Sequence, residues 1–212
     1  MNEIGMYAGL LLNGLKVTLI ISFFSTILGL VLGSLLLINS LKNNTKGKII
    51  RFFIDMLRGL PLLVLILTAY LILKPIISSL NIVEDEKILA AIIIIGVWAS
   101  VYFSEILRGA YNFINKKQIL IANSLGISKF KLYKDIIIPQ LLKKGKNPLI
   151  KQSIICFNES SLVYIIGIND FFGVAVKIGE QNQSIGTSLL LVSIVYITIS
   201  LIYQKLILKN KY

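Results

Sequence analysis

The chain has 212 residues, of which 56% are hydrophobic, and a formal net charge of +12 from 22 basic and 10 acidic side chains. Soluble domains are about 45–50% apolar, so this composition indicates one domain embedded in a bilayer. The basic residues fall between the apolar runs, which is typical of cytoplasmic loops and not of a nucleic-acid-binding surface. With no histidine and one cysteine, the sequence excludes a histidine-based metal site, a histidine catalytic base and an intrachain disulfide.

Five apolar runs are long enough to cross a bilayer, which takes about 20 helical residues. They are Leu10–Ile38, Leu60–Leu80, Ile88–Ile106, Leu149–Ile168 and Thr187–Leu208. The first lacks the basic n-region and cleavage site of a signal peptide, so we interpret it as a retained span. Lys74-Pro75 interrupts the second, and the polar, basic stretch Arg51–Arg58 indicates a connection. The predicted fold is all-α and polytopic, with five transmembrane helices in a single domain over residues 1–212.

Basic residues concentrate on one side of these spans. The connections after the first and third spans carry Lys42, Lys46, Lys48, Arg51 and Arg58, and then Arg108, Lys116, Lys117, Lys129, Lys131, Lys134, Lys143, Lys144, Lys146 and Lys151. The opposite connections are acidic or nearly neutral, with Glu84, Asp85 and Glu86 against Lys87, and Asp170 and Glu180 against Lys177. The tail, with Lys205, Lys209 and Lys211, falls on the basic side. The positive-inside rule therefore predicts an external N-terminus and a cytoplasmic C-terminus.

Small residues recur every fourth position in the first span, at Ser25, Gly29 and Gly33. This spacing lets helix backbones approach closely in lipid. We interpret it as packing within the chain in preference to a dimer contact.

The segment 112–146 is too polar to be a span, and its pattern predicts a helix, a sharp turn and a second helix. Lys117–Leu125 indicates a short helix, and Gly126 then fits the left-handed position after a helix end. Ser128 is suited to cap the second helix.

The second helix is predicted to be amphipathic and short. Phe130, Tyr133 and Ile137 fall on one face and lysines on the other, and Pro139 ends the pattern. The segment is either an amphipathic hairpin on anionic lipid or a rigid knob that inserts into a cytoplasmic partner.

The spacing Ala122-x3-Gly126-x9-Ile136-x-Ile138-Pro139 resembles the signature loop of ABC-importer permeases, whose coupling helices dock into a groove on a cytoplasmic ATPase. The resemblance implies an ATPase-coupling set of Gln118, Ala122, Ser124, Leu125, Gly126, Ile136 and Pro139. The family's glutamate and first alanine fall on Leu120 and Ile121 here. The polar contact of that glutamate is thus absent, or replaced by apolar packing.

Further motifs resemble the polar amino-acid permeases among these importers, in order from about residue 9 to residue 208. They are Gly14-x3-Thr18-Leu19, Arg58-Gly59-Leu60-Pro61-Leu62-Leu63, Ser104-Glu105-Ile106-Leu107-Arg108-Gly109, and Asn158-Glu159-Ser160-Ser161-Leu162 followed by Ile166-Gly167 and Asp170. Glu105 and Arg108 are three residues apart and share a helix face, which favours structural pairing over a substrate role. Arg58 is expected at a membrane edge, where it anchors to lipid phosphate.

The polar cluster Asn158, Glu159, Ser160 and Ser161 lies inside the fourth span, where charges are costly and suggest function. We expect these residues either to face a translocation pathway or to pair Glu159 within the bundle for assembly. Glu159→Gln is expected to alter uptake without loss of membrane insertion.

The resemblance implies a non-enzymatic permease of the bacterial inner membrane that forms half of a pathway for a polar amino acid such as glutamine, histidine or arginine. It implies a second permease copy or homologue, two ATP-binding subunits and an extracytoplasmic solute-binding protein. The chain itself has no P-loop motif, so ATP would be hydrolysed by the partner. The alternatives are an importer permease for methionine or an oligopeptide, an ATP-independent transporter or channel, and a membrane-embedded enzyme.

Overall fold

The computed structural model describes residues 3–42, 44–80 and 85–208. Its α-helices are α1 (Glu3–Ser40), α2 (Thr45–Arg58), α3 (Leu62–Leu80), α4 (Glu86–Asn112), α5 (Lys117–Ser124), α6 (Lys129–Lys131), α7 (Ile138–Glu159), α8 (Phe171–Gln181) and α9 (Ile185–Leu208). A π-helical turn, Leu132–Ile137, joins α6 to α7, and a 3₁₀ segment, Ser160–Ile166, follows α7. Glu84, Lys209 and Lys211, which contribute to the predicted charge asymmetry, lie outside the described residues.

Four helices are long and apolar enough to cross a membrane, and a fifth crossing is broken. The four lie at Gly5–Ser40, Leu62–Ser79, Glu86–Asn112 and Ile185–Lys205. The fifth combines Lys129–Ile166 with Phe171–Gln181, which meet at a bend of 52°. The all-α, five-span prediction is confirmed if this bent pair counts as one span. The predicted Leu149–Ile168 run is the region that leads into the break.

The centre of the bundle is the contact between α1 and α4. A Cβ at Gly29 would lie 2.9 Å from Ala99 Cβ, and one at Gly33 would lie 2.7 Å from the Ser100 carbonyl oxygen. Ser25 Oγ donates to the Ile92 carbonyl at 3.3 Å. The contacts advance along both helices together, so α1 and α4 run parallel. The interpretation of the small-residue spacing as packing within the chain is confirmed.

Arg51–Arg58 lies, as predicted, in the connection between the first two spans, and the structure shows that this connection is a helix, α2. Asn44 caps the helix, its side chain accepting from Gly47 N–H at 2.9 Å. Ile54 and Leu57 are buried against Val101 of α4. The basic residues hide an apolar face at helical spacing, and that face attaches α2 to the bundle.

Prolines do not end helices where the sequence predicts. Helix α3 continues through Pro75 to Leu80, and the chain is helical on both sides of Pro139. Pro139 lies in the first turn of α7, directly after the π-helical turn. Proline has no N–H to donate and its ring crowds the preceding turn, while a π-helical turn bonds at i→i+5. This wider turn accommodates the ring without breaking the helix.

Candidate coupling and translocation sites

The turn of the coupling loop is a Schellman motif centred on Gly126. The Ile127 N–H donates to the Ala122 carbonyl at 2.9 Å and the Gly126 N–H donates to the Asn123 carbonyl at 3.1 Å. Gly126 has φ of +68°, which side-chain-bearing residues rarely adopt. Ala122 and Ile127 pack in the same apolar cluster, the contact expected of this motif. The predicted left-handed glycine is confirmed.

Ser128 begins the second helix as predicted, its side chain accepting from the Lys131 N–H at 3.4 Å. The three residues of the predicted apolar face do not share one environment. Ile137 is buried, but Phe130 and Tyr133 are exposed, and Leu132 points inward instead. The π-helical turn from Leu132 changes the angular spacing, so a face drawn at 3.6 residues per turn fails here.

The predicted coupling residues separate into an inner and an outer group. Ala122 is buried with Ile114, Leu132 and Ile137, and Ile136 packs against that cluster. Gln118 accepts from Gln140 Nε2 at 2.7 Å, which ties α5 to α7. The outer residues are Ser124, Leu125, Gly126 and Pro139.

Arg58, Glu105 and Arg108 form one charged cluster at the C-terminal ends of α2 and α4. Arg108 Nη2 lies 2.6 Å from both carboxylate oxygens of Glu105. Arg58 Nη1 lies 3.7 Å from Glu105 Oε2. The predicted pairing within α4 is confirmed, and Arg58, expected to anchor to lipid phosphate, joins the pair.

The remaining motif residues surround this cluster. Gly59 caps α2 through its N–H to the Asp55 and Met56 carbonyls, both at 3.2 Å. Pro61 directly precedes α3, a position that favours its preset φ. Gly109 has open space where a Cβ would stand.

The four polar residues of the fourth span do not share a face, because consecutive residues point in different directions around a helix, and α7 changes to a 3₁₀ segment after Glu159. Ser160 is fully buried and its hydroxyl donates to the Phe157 carbonyl at 2.7 Å. Asn158 and Ser161 line a surface groove of about 500 Å³. Ser200 Oγ of α9 donates to Asn158 Oδ1 at 3.1 Å.

Glu159, the residue after Asn158, is half-buried and is not among the residues that line this groove. Within residues 3–42, 44–80 and 85–208, the carboxylate of Glu159 forms no ion pair and no hydrogen bond. The expectation of a charge paired within the bundle therefore has no partner among the described residues.

Sequence reasoning missed the residues that α9 contributes. Ser193, Tyr196 and Ser200 line the same groove as Asn158. A second, mostly apolar groove of about 590 Å³ lies between α1, α7 and α9, and Lys16 and Ser200 are among its lining residues. Lys16, a charge inside the first apolar run, is the only signal in the sequence for that groove.

The break between Ser160–Ile166 and α8 is built from buried groups. Gly167 has φ of +77°. Asp170 is fully buried and accepts from the Gly173 N–H at 2.9 Å and the Phe172 N–H at 3.3 Å. Thr18 Oγ1 accepts from the Phe171 N–H at 3.0 Å. A Cβ at Gly14 would lie 2.9 Å from the Asp170 carbonyl oxygen, so three residues of the first and fourth motifs meet here.

The chain is an all-helical bundle of apolar spans, with two grooves between helices that polar side chains line in part and a helix–turn–helix in the segment 112–146. The model of the family described as "Binding-protein-dependent transport system inner membrane component" matches residues 25–209. The chain belongs to this family, the permeases of ABC importers.

Two relatives and one solved structure agree with this placement. The chain is 29% identical over 195 residues to the glutamate/aspartate import permease protein GltK of Escherichia coli O6:H1, covering 90% of this chain and 87% of that protein. It is 28% identical over 195 residues to the arginine transport system permease protein ArtQ of Bacillus subtilis, covering 91% and 86%. A crystal structure of an amino acid ABC transporter with histidines matches with a TM-score of 0.80 at 23% identity, covering 98% of this chain and 96% of that chain. At this identity the structural match shows the fold alone.

Proposed function

We propose that this chain, as one domain over residues 1–212, is the permease subunit of an ATP-driven importer for a polar amino acid such as glutamine, histidine or arginine. The names of GltK and ArtQ, which refer to glutamate/aspartate and arginine, support this substrate class. The hydrogen-bonding groove beside Asn158 supplies groups suited to such a solute.

The observation that carries this proposal is the coupling turn of the segment 112–146. Its Schellman bonds and buried cluster make it rigid, while Leu125 and Gly126 stand exposed at its tip. One of the transporter's two ATP-binding subunits docks at this turn, and ATP hydrolysis by these subunits moves the permease. A second permease, identical or homologous, completes the pathway, and an extracytoplasmic solute-binding protein delivers the amino acid.

The N-terminus lies outside the cell and the C-terminus in the cytoplasm of a bacterium. The parallel course of α1 and α4 supports this arrangement, since both then run inward and end near the basic connections. The coupling loop directly follows α4 and is therefore cytoplasmic.

Asn158, Glu159 and Ser161 face the translocation pathway, and Ser160 supports its wall from inside. The half-buried Glu159 lacks a partner among the described side chains, which suits a group that contacts solute. Glu159→Gln is expected to change uptake of polar amino acids in proteoliposomes, with Glu180→Gln, an exposed glutamate of α8, as the matched control. Equal uptake by wild type and Glu159→Gln would remove Glu159 from the pathway.

The test of coupling is affinity capture of the tagged chain from native membranes, with mass-spectrometric identification of the ATP-binding subunit. Wild type is expected to retain that subunit and Gly126→Glu to lose it, because a side chain at positive φ strains the turn and adds a charge at its tip. Failure of wild type to retain it in a stable complex would overturn the importer proposal.

A further inference from the structure

The coupling loop exposes large apolar side chains that its own folding does not require. Leu120 is 66% exposed, Ile121 59%, Leu125 72% and Phe130 76%. The loop closes instead on a separate cluster formed by Ile114, Ala122, Leu132 and Ile137. We call Leu120, Ile121, Leu125 and Phe130 the apolar tip. Scattered apolar residues on a surface need no explanation, but a concentration of large ones marks an interaction site.

Five lysines lie in the same segment of the chain as the apolar tip, on either side of Leu120–Leu125. They are Lys116, Lys117, Lys129, Lys131 and Lys134, all exposed. Asp135 is the one acidic residue between positions 112 and 146. Lys134 Nζ lies 5.8 Å from the centroid of the Phe130 ring. A partner that docks here therefore meets exposed apolar side chains together with a net positive charge. We call these five lysines the lysine collar.

Leu120 makes the middle of this surface apolar. It occupies the position of the signature-loop glutamate, and the sequence left open whether the glutamate's contact is lost or replaced by apolar packing. Leu120 is 66% exposed, so most of its surface is not packed against this chain. Any apolar packing of Leu120 is supplied by the partner.

We propose that the ATP-binding subunit of this transporter presents an apolar groove floor to the apolar tip and a carboxylate-bearing rim to the lysine collar. The proposal rests on the proposed function, since it takes the docking partner to be the ATP-binding subunit. Apolar burial supplies the attraction at the centre. The opposite charges at the rim steer association and make it sensitive to salt.

The experiment is to measure the affinity of the purified ATP-binding subunit for the detergent-purified permease. Leu120→Glu is expected to weaken binding by about tenfold or more, because it buries a charge against an apolar floor. Leu120→Met keeps the apolar character, and binding is expected within about twofold of wild type. The introduced glutamate and methionine are both good helix formers and position 120 is exposed, so folding of α5 is preserved.

The rim is tested with the double variant Lys129→Gln/Lys131→Gln, whose affinity for the ATP-binding subunit is measured at low and at high salt. Binding at low salt is expected to weaken several-fold and the salt dependence to become flatter. Lys46→Gln with Lys48→Gln, on α2, makes the same charge change outside the loop and is expected to have little effect.

The outcomes separate this proposal from the proposed function. No binding by wild type would overturn both. Binding by wild type with equal or tighter binding by Leu120→Glu would overturn the apolar floor alone. If the loop lysine variants leave binding unchanged but lower the retention of anionic lipid by the permease, the collar contacts lipid headgroups and the acidic rim is overturned.

Discussion

Thr18 on the first helix accepts a hydrogen bond from the backbone N–H of Phe171, the first residue of α8, at 3.0 Å. The following two N–H groups of α8 donate to the Asp170 side chain, and the Val174 N–H donates to the Asp170 carbonyl at 2.9 Å. Helix N-termini leave such donors without partners inside the helix. The buried start of α8 is therefore completed by a residue 153 positions earlier in the chain.

Thr18→Val is expected to destabilise the protein, because it leaves the buried Phe171 N–H without an acceptor while preserving side-chain shape. The cost of such an orphaned donor is about 1–3 kcal/mol. The measurement is thermal unfolding of the detergent-purified chain. Thr68→Val is the control, since the Thr68 hydroxyl is exposed and bonds only to carbonyls of its own helix. Equal melting of the two variants would show that the Thr18 bond contributes nothing.

Gly33→Ala is expected to disrupt the α1–α4 contact. The added methyl would lie 2.7 Å from the Ser100 carbonyl oxygen and 3.0 Å from the Ser104 nitrogen, and backbone atoms cannot rotate away. Overpacking of this kind costs about 1–3 kcal/mol. Gly9→Ala, on the same helix with open space at the Cβ position, is expected to melt at or above the wild-type temperature. A Gly33→Ala protein as stable as Gly9→Ala would contradict the close packing of these helices.

Gly126→Val is expected to reduce uptake while leaving the melting temperature of the bundle nearly unchanged. Nothing lies near a Cβ at this position, so the penalty comes from φ of +68° and amounts to about 1–2 kcal/mol. Gly126→Asn is the matched control, because asparagine tolerates the left-handed region. We expect uptake to fall in the order glycine, asparagine, valine, and a different order would show that volume rather than conformation matters.

Glu105→Gln is expected to destabilise the protein more than Arg58→Gln does, because the Glu105 carboxylate contacts both Arg108 within α4 and Arg58 of α2. The carboxylate lies 2.6 Å from Arg108 and 3.7 Å from Arg58, and in the closer pair both carboxylate oxygens accept from Arg108 Nη2 in a charge-assisted contact. Because the side chains are partly exposed, the Arg58–Glu105 coupling falls in the surface range of about 0–1 kcal/mol. Double-mutant cycles on unfolding measure both couplings. A larger coupling for Arg58 than for Arg108 would contradict the geometry.

The local features of the coupling loop followed from its sequence. Gly126 and Ser128 act through their own backbone positions and side chains, so their roles as turn and cap needed no distant partner. The face of the second coupling helix did not follow. A face drawn at 3.6 residues per turn does not fit this helix, because the chain forms a π-helical turn at Leu132–Ile137.

The sequence did not predict helices α2 and α8, and the reasons differ. Helix α2 carries basic residues that conceal an apolar face, and only packing on α4 shows which side matters. Helix α8 follows Asp170, a residue type typical of an N-cap, but the sequence gives no sign that Thr18 would complete the cap.

The sequence by itself determined which runs are apolar enough to cross a bilayer, the charge asymmetry, the close packing at Gly29 and Gly33, and the turn at Gly126. These features depend on hydrophobic length, charge count and local backbone preference, which are written in consecutive residues. Only the tertiary structure decided that Arg58 reaches Glu105, that Ser160 turns inward while Asn158 meets Ser200, and that Leu120 stands exposed. Each of these depends on where distant helices cross and on how many residues complete a turn, quantities that helix packing sets and that no local pattern records.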